Sequence, residues 1–369
     1  MNPAQIEIQL IAIVVAVACA LPGVFLVLRR MALMSDAISH AILLGIVLAF
    51  FVVKDLASPL LVIAAALTGV LTVSLVELLN KTKLVKEDAA IGLVFPVLFS
   101  MGVILISRFA GDVHLDTDAV LLGELAFAPF NRFEPFGYDI GPITLYVMAG
   151  ILLLNLLFII IFYKELKVAT FDPGLAASIG LSPAIIHYAL MSLVSVTAVG
   201  AFDAVGSILV VALMIAPPAA AYLMTNDLKW MIIISAVIGI LSAVTGYWCA
   251  HIFDVSIAGS MATMTGVFFL LSFFLAPKRG MLSIWQRRSR QKWEFAIKML
   301  VVHLSHHENL PEAKDESRID HLQRHFEWNK DFAERVVRRA EKSESIITVG
   351  DIMELTDKGR QLAGESVVK

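Results

Sequence analysis

Long apolar segments separated by short polar turns dominate the first three quarters of the chain. A helix needs roughly 20 apolar residues to cross a bilayer, at a rise of about 1.5 Å per residue. Nine segments approach or reach this length, at 7–28, 33–53, 59–79, 89–107, 142–163, 183–200, 205–224, 229–250 and 260–276. Hydrocarbon cannot hydrogen-bond to free backbone groups, so these segments are predicted to be helices. The pattern predicts an all-α polytopic membrane protein with about nine transmembrane helices.

The sixth and seventh segments are the least distinct pair. Only the stretch Gly200–Ala204 separates them. Two complete spans and one broken, re-entrant element both fit this pattern, so the number of spans within 183–224 stays open.

The basic residues between the spans indicate the orientation, because cytoplasmic loops carry an excess of Lys and Arg. With the N-terminus outside, the residues that face the cytoplasm are Arg29, Arg30, Lys81, Lys83, Lys86, Lys164, Lys167, Lys229, Lys278 and Arg279. Those that face outward are then Lys54, Arg108 and Arg132. We therefore predict an inner-membrane protein with its N-terminus outside and its C-terminus in the cytoplasm.

Charge divides the chain into two kinds of domain. Charged residues make up 17% of the whole, against about 25% in a typical soluble protein. Residues 278–369 nevertheless hold 18 of the 29 Lys and Arg. We predict a transmembrane domain over 1–277, a basic juxtamembrane connector over 278–290 and a cytoplasmic domain over 291–369.

The cytoplasmic domain is predicted to be a small α+β unit. Its pattern predicts helices at Trp293–Ser305, Arg318–His325 and Phe332–Lys342, followed by short strands at Ile346–Val349 and Ile352–Leu355. This order resembles a winged-helix domain, and the third helix would then be the recognition helix. Its helically spaced basic residues, the candidate regulatory or DNA contacts, are Arg335, Arg338, Arg339 and Lys342. The nearly balanced charge of the tail favours a docking or regulatory module, with nucleic-acid binding as the alternative.

The tail is also rich in histidine, at positions 303, 306, 307, 321 and 325. His321 and His325 are four residues apart, a helical spacing at which two imidazoles can share a metal ion. Exposed histidines on a polar helix, without a metal, are the competing interpretation.

The second span carries a carboxylate and an imidazole where ionisable groups are costly. Asp36 and His40 are four residues apart and therefore share a helix face, with Ser35 and Ser39 beside them. Such a pair can bind one divalent transition metal. The alternative is an Asp–His hydrogen bond that only locks two helices together. A second polar group lies in the outer segment, at His114, Asp116 and Asp118. Such a cluster can attract cations to the mouth of a path, but the pattern favours an ordinary solvated loop.

The loop between the fifth and sixth spans has clear helix signals. Asp172 followed by Pro173 is typical of an N-cap and first helical position, and Gly180 of a helix end. The sequence therefore predicts a short, mildly apolar helix between two spans.

Four stretches occur in a fixed order along residues 1–277: Gly23–Ala41, Glu87–Gly92, Thr170–Gly180 and Val205–Pro217. Together they resemble the signature of manganese, zinc and iron ABC-importer permeases. The resemblance implies a dimer of this permease with itself or a paralogue, an ABC ATPase subunit, and an extracytoplasmic metal-binding protein. The cargo would be a divalent Mn, Zn or Fe ion, with no tightly bound cofactor.

The resemblance also assigns roles to residues. Asp36 and His40 would line the metal path, and the segment of Phe171, Asp172, Pro173, Ala176 and Gly180 would form the coupling helix that docks on the ATPase. Most members of that family end soon after the last span, so the tail is a departure from it.

The chain is not expected to be an enzyme, because it lacks a Gly-x-x-x-x-Gly-Lys-Ser/Thr phosphate loop. ATP would act only through a partner subunit. Three alternatives are an ion-gradient-driven secondary transporter, a membrane-tethered transcriptional regulator acting through the tail, and a permease of the related chelate-importing type.

Overall fold

The computed structural model describes residues 2–54, 58–109, 125–133, 139–308 and 313–367. It divides into two compact units, Met1–Gly280 and Met281–Lys369. Over the described residues, nine helices are long and apolar enough to cross a membrane. The predicted all-α polytopic class is therefore confirmed.

The described residues of the N-terminal unit form eleven α-helices. The nine long ones are α1 (Pro3–Leu28), α2 (Ala32–Val53), α3 (Pro59–Lys81), α4 (Glu87–Phe109), α5 (Ile143–Ile161), α8 (Pro183–Val205), α9 (Ser207–Met224), α10 (Leu228–Phe253) and α11 (Ile257–Leu275). Two short helices, α6 (Tyr163–Phe171) and α7 (Pro173–Ser178), join α5 to α8. A 3-10 turn, Leu125–Phe130, precedes α5.

Helix α1 lies at the centre of this unit, where it packs against α5, α8, α9 and α10. Small residues permit these close contacts. A Cβ atom on Gly23 would lie 2.1 Å from the carbonyl oxygen of Met214 in α9. Gly239 of α10 approaches the carbonyl oxygen of Ala16 in the same way, at 3.3 Å from an added Cβ. The absence of side chains at these glycines therefore sets how closely the neighbouring helices approach α1.

A buried amide adds polar contacts between three of these helices. The Nδ2 of Asn155 in α5 donates to the carbonyl oxygen of Ala18 in α1, at 2.8 Å, and contacts the hydroxyl of Thr197 in α8, at 3.0 Å. The Thr197 hydroxyl in turn lies 2.8 Å from the carbonyl oxygen of Leu193. Because all of these polar atoms have partners, the buried amide avoids the large penalty of an unsatisfied polar group in an apolar core.

The stretch 183–224 forms two separate helices, so the single re-entrant element is wrong. The division also lies elsewhere than expected, because α8 continues through Gly200–Ala204 to Val205. The chain breaks at Gly206 alone, whose φ of +78° is accessible to glycine at little energetic cost. A one-residue break suffices because this residue caps α8 and starts α9.

An ion-pair cluster joins the start of α1 to the segment before α5. Arg132 contacts the carboxylate of Glu7 at 2.9 Å and that of Asp139 at 2.7 Å. The hydrogen bond from Arg132 lowers the pKa of the exposed Asp139 carboxyl below its ordinary value. Asp139 is therefore ionised at neutral pH, which keeps its ion pair with Arg132 together.

The C-terminal unit packs its helices and a β-hairpin around a small apolar core. Its elements are α12 (Met281–His307), α13 (Ala313–Glu316), α14 (Ile319–His325), α15 (Lys330–Lys342), β1 (Ile346–Val349), β2 (Ile352–Leu355) and α16 (Asp357–Val367). The strands pair antiparallel, with Ile346 opposite Leu355, and Gly350 turns the hairpin at φ +67°. Leu300, Leu322 and Val336 are buried in the core.

The order of helices and strands in this unit agrees with the sequence prediction, but one boundary does not. Helix α12 is continuous from Met281 to His307, so it covers most of the predicted connector as well as the predicted helix Trp293–Ser305. The described residues of the unit form a sheet of only two strands. The winged-helix assignment, which rests on element order, stays a prediction.

We predict that Gly23→Ala destabilises the N-terminal unit, because the new methyl group would overlap the Met214 backbone. Overpacking of this kind costs about 1–3 kcal/mol. The midpoint of thermal unfolding in detergent should therefore fall. Gly150→Ala in α5 is the matched control, since an added Cβ there meets no atom within 4 Å. Equal midpoints for the two variants would contradict the proposed packing.

Candidate functional site

Asp36 and His40 form a polar pair one turn apart on α2. The Nε2 of His40 lies 3.4 Å from the Oδ1 of Asp36, and the two side chains are 30% and 42% exposed. The adjacent serines behave differently, because Ser35 and Ser39 are buried. The Ser39 hydroxyl donates to the Ser35 carbonyl at 2.9 Å, and the Ser35 hydroxyl contacts the sulfur of Met214 at 3.1 Å. The serines therefore serve packing within the unit, whereas the Asp36–His40 pair remains accessible.

Two phenylalanines of α4 lie beside the imidazole. The ring centroids of Phe95 and Phe99 are 5.9 and 5.8 Å from that of His40. Sequence reasoning missed these residues. Their spacing of four places them on one face of α4, but only the packing of α4 against α2 shows which side chain that face meets.

The pair offers one carboxylate oxygen and one imidazole nitrogen, both of which are common ligands of divalent transition metals. Zinc usually takes four ligands, so these two leave coordination positions for water or for groups from another chain. Both residues lie on α2, so their mutual contact does not itself lock two helices together. The metal-ligand role stays a prediction.

The segment between α5 and α8 has the predicted helix signals in place. The Asp172 carboxylate accepts a hydrogen bond from the backbone N–H of Leu175 at 2.9 Å, which caps α7, and Pro173 is its first residue. Gly180 follows the helix with φ +88°, and Leu181 donates to the carbonyl of Ala176 at 3.0 Å. The predicted short helix is confirmed, with the bounds Pro173–Ser178.

This segment exposes apolar side chains. Phe171 is 59% exposed, and Leu175 and Ile179 are exposed to a similar degree, whereas Ala176 is buried. A short, capped helix with exposed apolar residues is suited to a contact with another protein.

Arg29 connects the end of α1 to this segment. Its Nε donates to the Thr170 hydroxyl at 3.2 Å, and its Nη1 lies 3.3 Å from the Nδ1 of His187 at the start of α8. Burial lowers the pKa of Arg29 from its ordinary value, which is high enough that the side chain stays charged. From the sequence, Arg29 was only a marker of orientation, because its partners are about 140 residues or more distant in the chain.

The basic residues of α15 mostly contact their own unit. The guanidinium groups of Arg335 and Arg339 lie over the ring of Trp293 at 5.6 and 4.2 Å. Arg338 lies 3.5 Å from the carboxylate of Glu334. Lys342 lines an adjacent groove. A role of these residues in nucleic-acid binding stays a prediction.

The structure brings histidines of the tail close together. The interpretation of these residues as exposed histidines on a polar helix did not anticipate this arrangement. His303 is buried, and its ring lies close to those of His307, His321 and His325. Burial lowers the pKa of His303 from its ordinary value, so its ring is neutral at neutral pH. Glu316, which the sequence did not single out, lies among them. His114, Asp116 and Asp118 are outside the described residues.

The chain is similar to known transport proteins over most of its length. The ABC 3 transport family matches residues 4–276. The chain is 47% identical over 357 residues to "Zinc transport system membrane protein TroD" of Treponema pallidum, covering 97% of each chain. That alignment includes most of the C-terminal unit, so the tail is shared with this relative.

Two further similarities cover about three quarters of this chain. The chain is 50% identical over 271 residues to "Manganese transport system membrane protein MntD" of Bacillus subtilis, covering 73% of this chain and 92% of the relative. In structure it is similar to PsaBC from Streptococcus pneumoniae, solved in complex with Fab. The TM-score is 0.64 at 33% identity, over 77% of this chain and 96% of that one.

We predict that Asp172→Ala loosens α7, because the Leu175 amide loses its capping acceptor. Loss of an N-cap costs about 1 kcal/mol, so amide hydrogen exchange over residues 174–179 should become roughly fivefold faster. Asp172→Asn is the control, since asparagine caps about equally well. Unchanged exchange in Asp172→Ala would show that the cap does not hold this helix.

Proposed function

This chain belongs to the ABC 3 transport family and is a metal-ion ABC permease, and from this premise we propose that it forms the membrane path of an importer for manganese or zinc. Its relatives named above are permease components, so the chain is not itself an enzyme. TroD is named for zinc and MntD for manganese, which is the support for these two metals. Iron, expected alongside them from the sequence, stays a prediction.

The observation that carries this proposal is the accessible Asp36–His40 pair on a membrane-spanning helix. Counted from Ala32, the first residue of α2, Asp36 lies about 6 Å and His40 about 12 Å along the helix axis. Ionisable groups within a span usually face a water-filled path or a neighbouring subunit, because lipid does not solvate them. The pair therefore lines the metal path.

The pair is also incomplete by itself. It supplies two ligands, and the aromatic rings beside His40, those of Phe95 and Phe99, offer none. A second permease chain, either another copy or a paralogue, would bring its own polar pair to the opposite side of the path. Two such pairs would give the four ligands that a tetrahedral metal site uses.

The energy for transport would come from a separate ABC ATPase subunit. The exposed apolar residues of the coupling segment, Phe171, Leu175 and Ile179, support this contact. Asp172 and Gly180 define the ends of the coupling helix, and Ala176 anchors it to the unit. Arg29 would relate this docking surface to α1, the central helix, through its hydrogen bond to Thr170.

The remaining parts of the assembly follow from the orientation of the spans. With the N-terminus outside, an extracytoplasmic metal-binding protein delivers the ion, and the tail lies in the cytoplasm with residues 278–290 at the lipid surface. We retain the division into a permease domain, 1–277, and a cytoplasmic domain, 291–369. Family membership argues against the gradient-driven alternative, whereas regulation of transcription by the tail stays a prediction.

We predict that Asp36→Ala and His40→Ala each reduce uptake of the transported metal by at least about tenfold, since each removes a ligand of the path. Uptake of radioactive manganese, zinc and iron by cells, at matched membrane expression, is the measurement. His306→Ala, in the C-terminal unit, is the control and should transport normally. Normal uptake of every metal by both pair variants would overturn the ligand assignment.

We also predict that Phe171→Ser weakens association with the ATPase subunit. Loss of an aromatic anchor from an interface costs about 2 kcal/mol, which is roughly thirtyfold in affinity. Copurification of the ATPase with the permease in detergent is the measurement. Ile140→Ser is the matched control, because Ile140 is similarly exposed but lies on the predicted outer side. Equal recovery of the ATPase with both variants would exclude Phe171 from the interface.

A further inference from the structure

A second group of metal-ligating side chains lies in the C-terminal unit. His303 comes from α12, Glu316 ends α13 and His321 lies on α14. One ligand atom from each of the three residues lies within 4.8 Å of the others. Three ligand-type side chains from three successive helices thus converge on one point.

The separations between the side chains suit a single small cation. The Nε2 of His303 is 3.4 Å and the Nε2 of His321 is 2.6 Å from the Oε2 of Glu316. Zinc binds nitrogen and oxygen ligands at about 2.0–2.2 Å, which puts neighbouring ligands of a tetrahedral site roughly 3.3 Å apart. Small movements of these side chains would bring all three ligand atoms to a common ion.

The polar atoms of the cluster are only partly satisfied by one another, since the Nε2 of His303 lies 3.4 Å from the backbone carbonyl oxygen of Glu316. The Oε2 of Glu316 and the Nε2 of His321 are buried and lack a hydrogen-bond partner among the described residues, although they are near neighbours. The His303 side chain is only 5% exposed. A buried polar group without a partner costs about 1–3 kcal/mol, and a bound cation would remove this penalty for both atoms.

The surrounding residues offer a further ligand and a structural consequence. The Nδ1 of His307 is also buried without a hydrogen-bond partner in the described part of the unit, and its ring centroid lies 4.7 Å from that of His303. Directly after Glu316, the carbonyl of Ser317 accepts a hydrogen bond from Met353 in β2 at 2.9 Å. An ion at the cluster would therefore connect α12 to the segment that pairs with the hairpin.

From these observations we propose that the C-terminal unit binds one divalent transition-metal ion through His303, Glu316 and His321, with water or His307 as the fourth ligand. Two imidazoles and one carboxylate are a ligand set typical of Zn²⁺. The site is distinct from the Asp36–His40 pair in sequence and in ligands, so it is an additional metal site on this chain.

The experiment uses the full-length chain in detergent, carrying Asp36→Ala and His40→Ala so that the proposed path contributes no ligands. After removal of metal with a chelator, Zn²⁺ alone is titrated in competition with a chromogenic chelator. One Zn²⁺ per chain is expected. Adding Glu316→Gln or His321→Ala should weaken binding at least about 100-fold, because even residues behind the ligands contribute about 10–100-fold.

His306→Ala is the matched control, since His306 is an exposed histidine of α12 beside the cluster, and it should bind Zn²⁺ like the parent. Glu316→Gln preserves the shape of the side chain, so it decides the result if His321→Ala does not fold. Bound Zn²⁺ should also raise the thermal midpoint of the parent but not of Glu316→Gln. Absence of a stoichiometric site in the parent, or equal affinity in Glu316→Gln, would overturn the proposal. Neither result bears on metal uptake through the membrane unit.

Discussion

Backbone amides and carbonyls within a bilayer must find their hydrogen-bond partners inside the protein, because hydrocarbon offers none. The N-terminal unit meets this constraint at several levels. Its nine long helices satisfy their own backbones over the described residues. Hydroxyl groups within the spans bond back to carbonyls one turn earlier, as Thr72 does to Thr68 at 2.8 Å. The buried amide of Asn155 joins α5 to α1 and α8. The break between α8 and α9 is confined to Gly206, so a single residue separates the two helices.

Because lipid does not solvate ionisable groups, such groups that remain accessible within a span usually indicate a water-filled path or a neighbouring subunit. Asp36 and His40 are half exposed, whereas the neighbouring Ser35 and Ser39 are buried in packing contacts. The same helix thus buries one face within its own unit and leaves the Asp36–His40 face accessible. Arg29 connects the end of α1 to Thr170 of α6, so the segment before the exposed short helix α7 is joined to the central helix of the unit.

The C-terminal unit differs from the N-terminal unit in having a small apolar core and a charged surface. Trp293 packs beneath Arg335 and Arg339, which explains why helically spaced basic residues need not form a free binding surface. Histidines that are dispersed in the sequence meet around Glu316. Their convergence could not be predicted from spacing within one helix, since the three proposed ligands come from three elements. From the sequence, all five tail histidines were candidate metal sensors, but helical spacing suggested a shared ion only for His321 and His325.

The sequence by itself determined the class of the protein, the number of apolar helices and the caps of the short helix at Asp172 and Gly180. These are local properties, set by runs of apolar residues and by side chains that bond to their own backbone. Only the tertiary structure decided which faces of the helices meet. It placed Phe95 and Phe99 beside His40, moved the break from Gly200–Ala204 to Gly206, and made α12 continuous. It also assembled the His303 cluster, because contacts between distant segments depend on packing that no local pattern encodes.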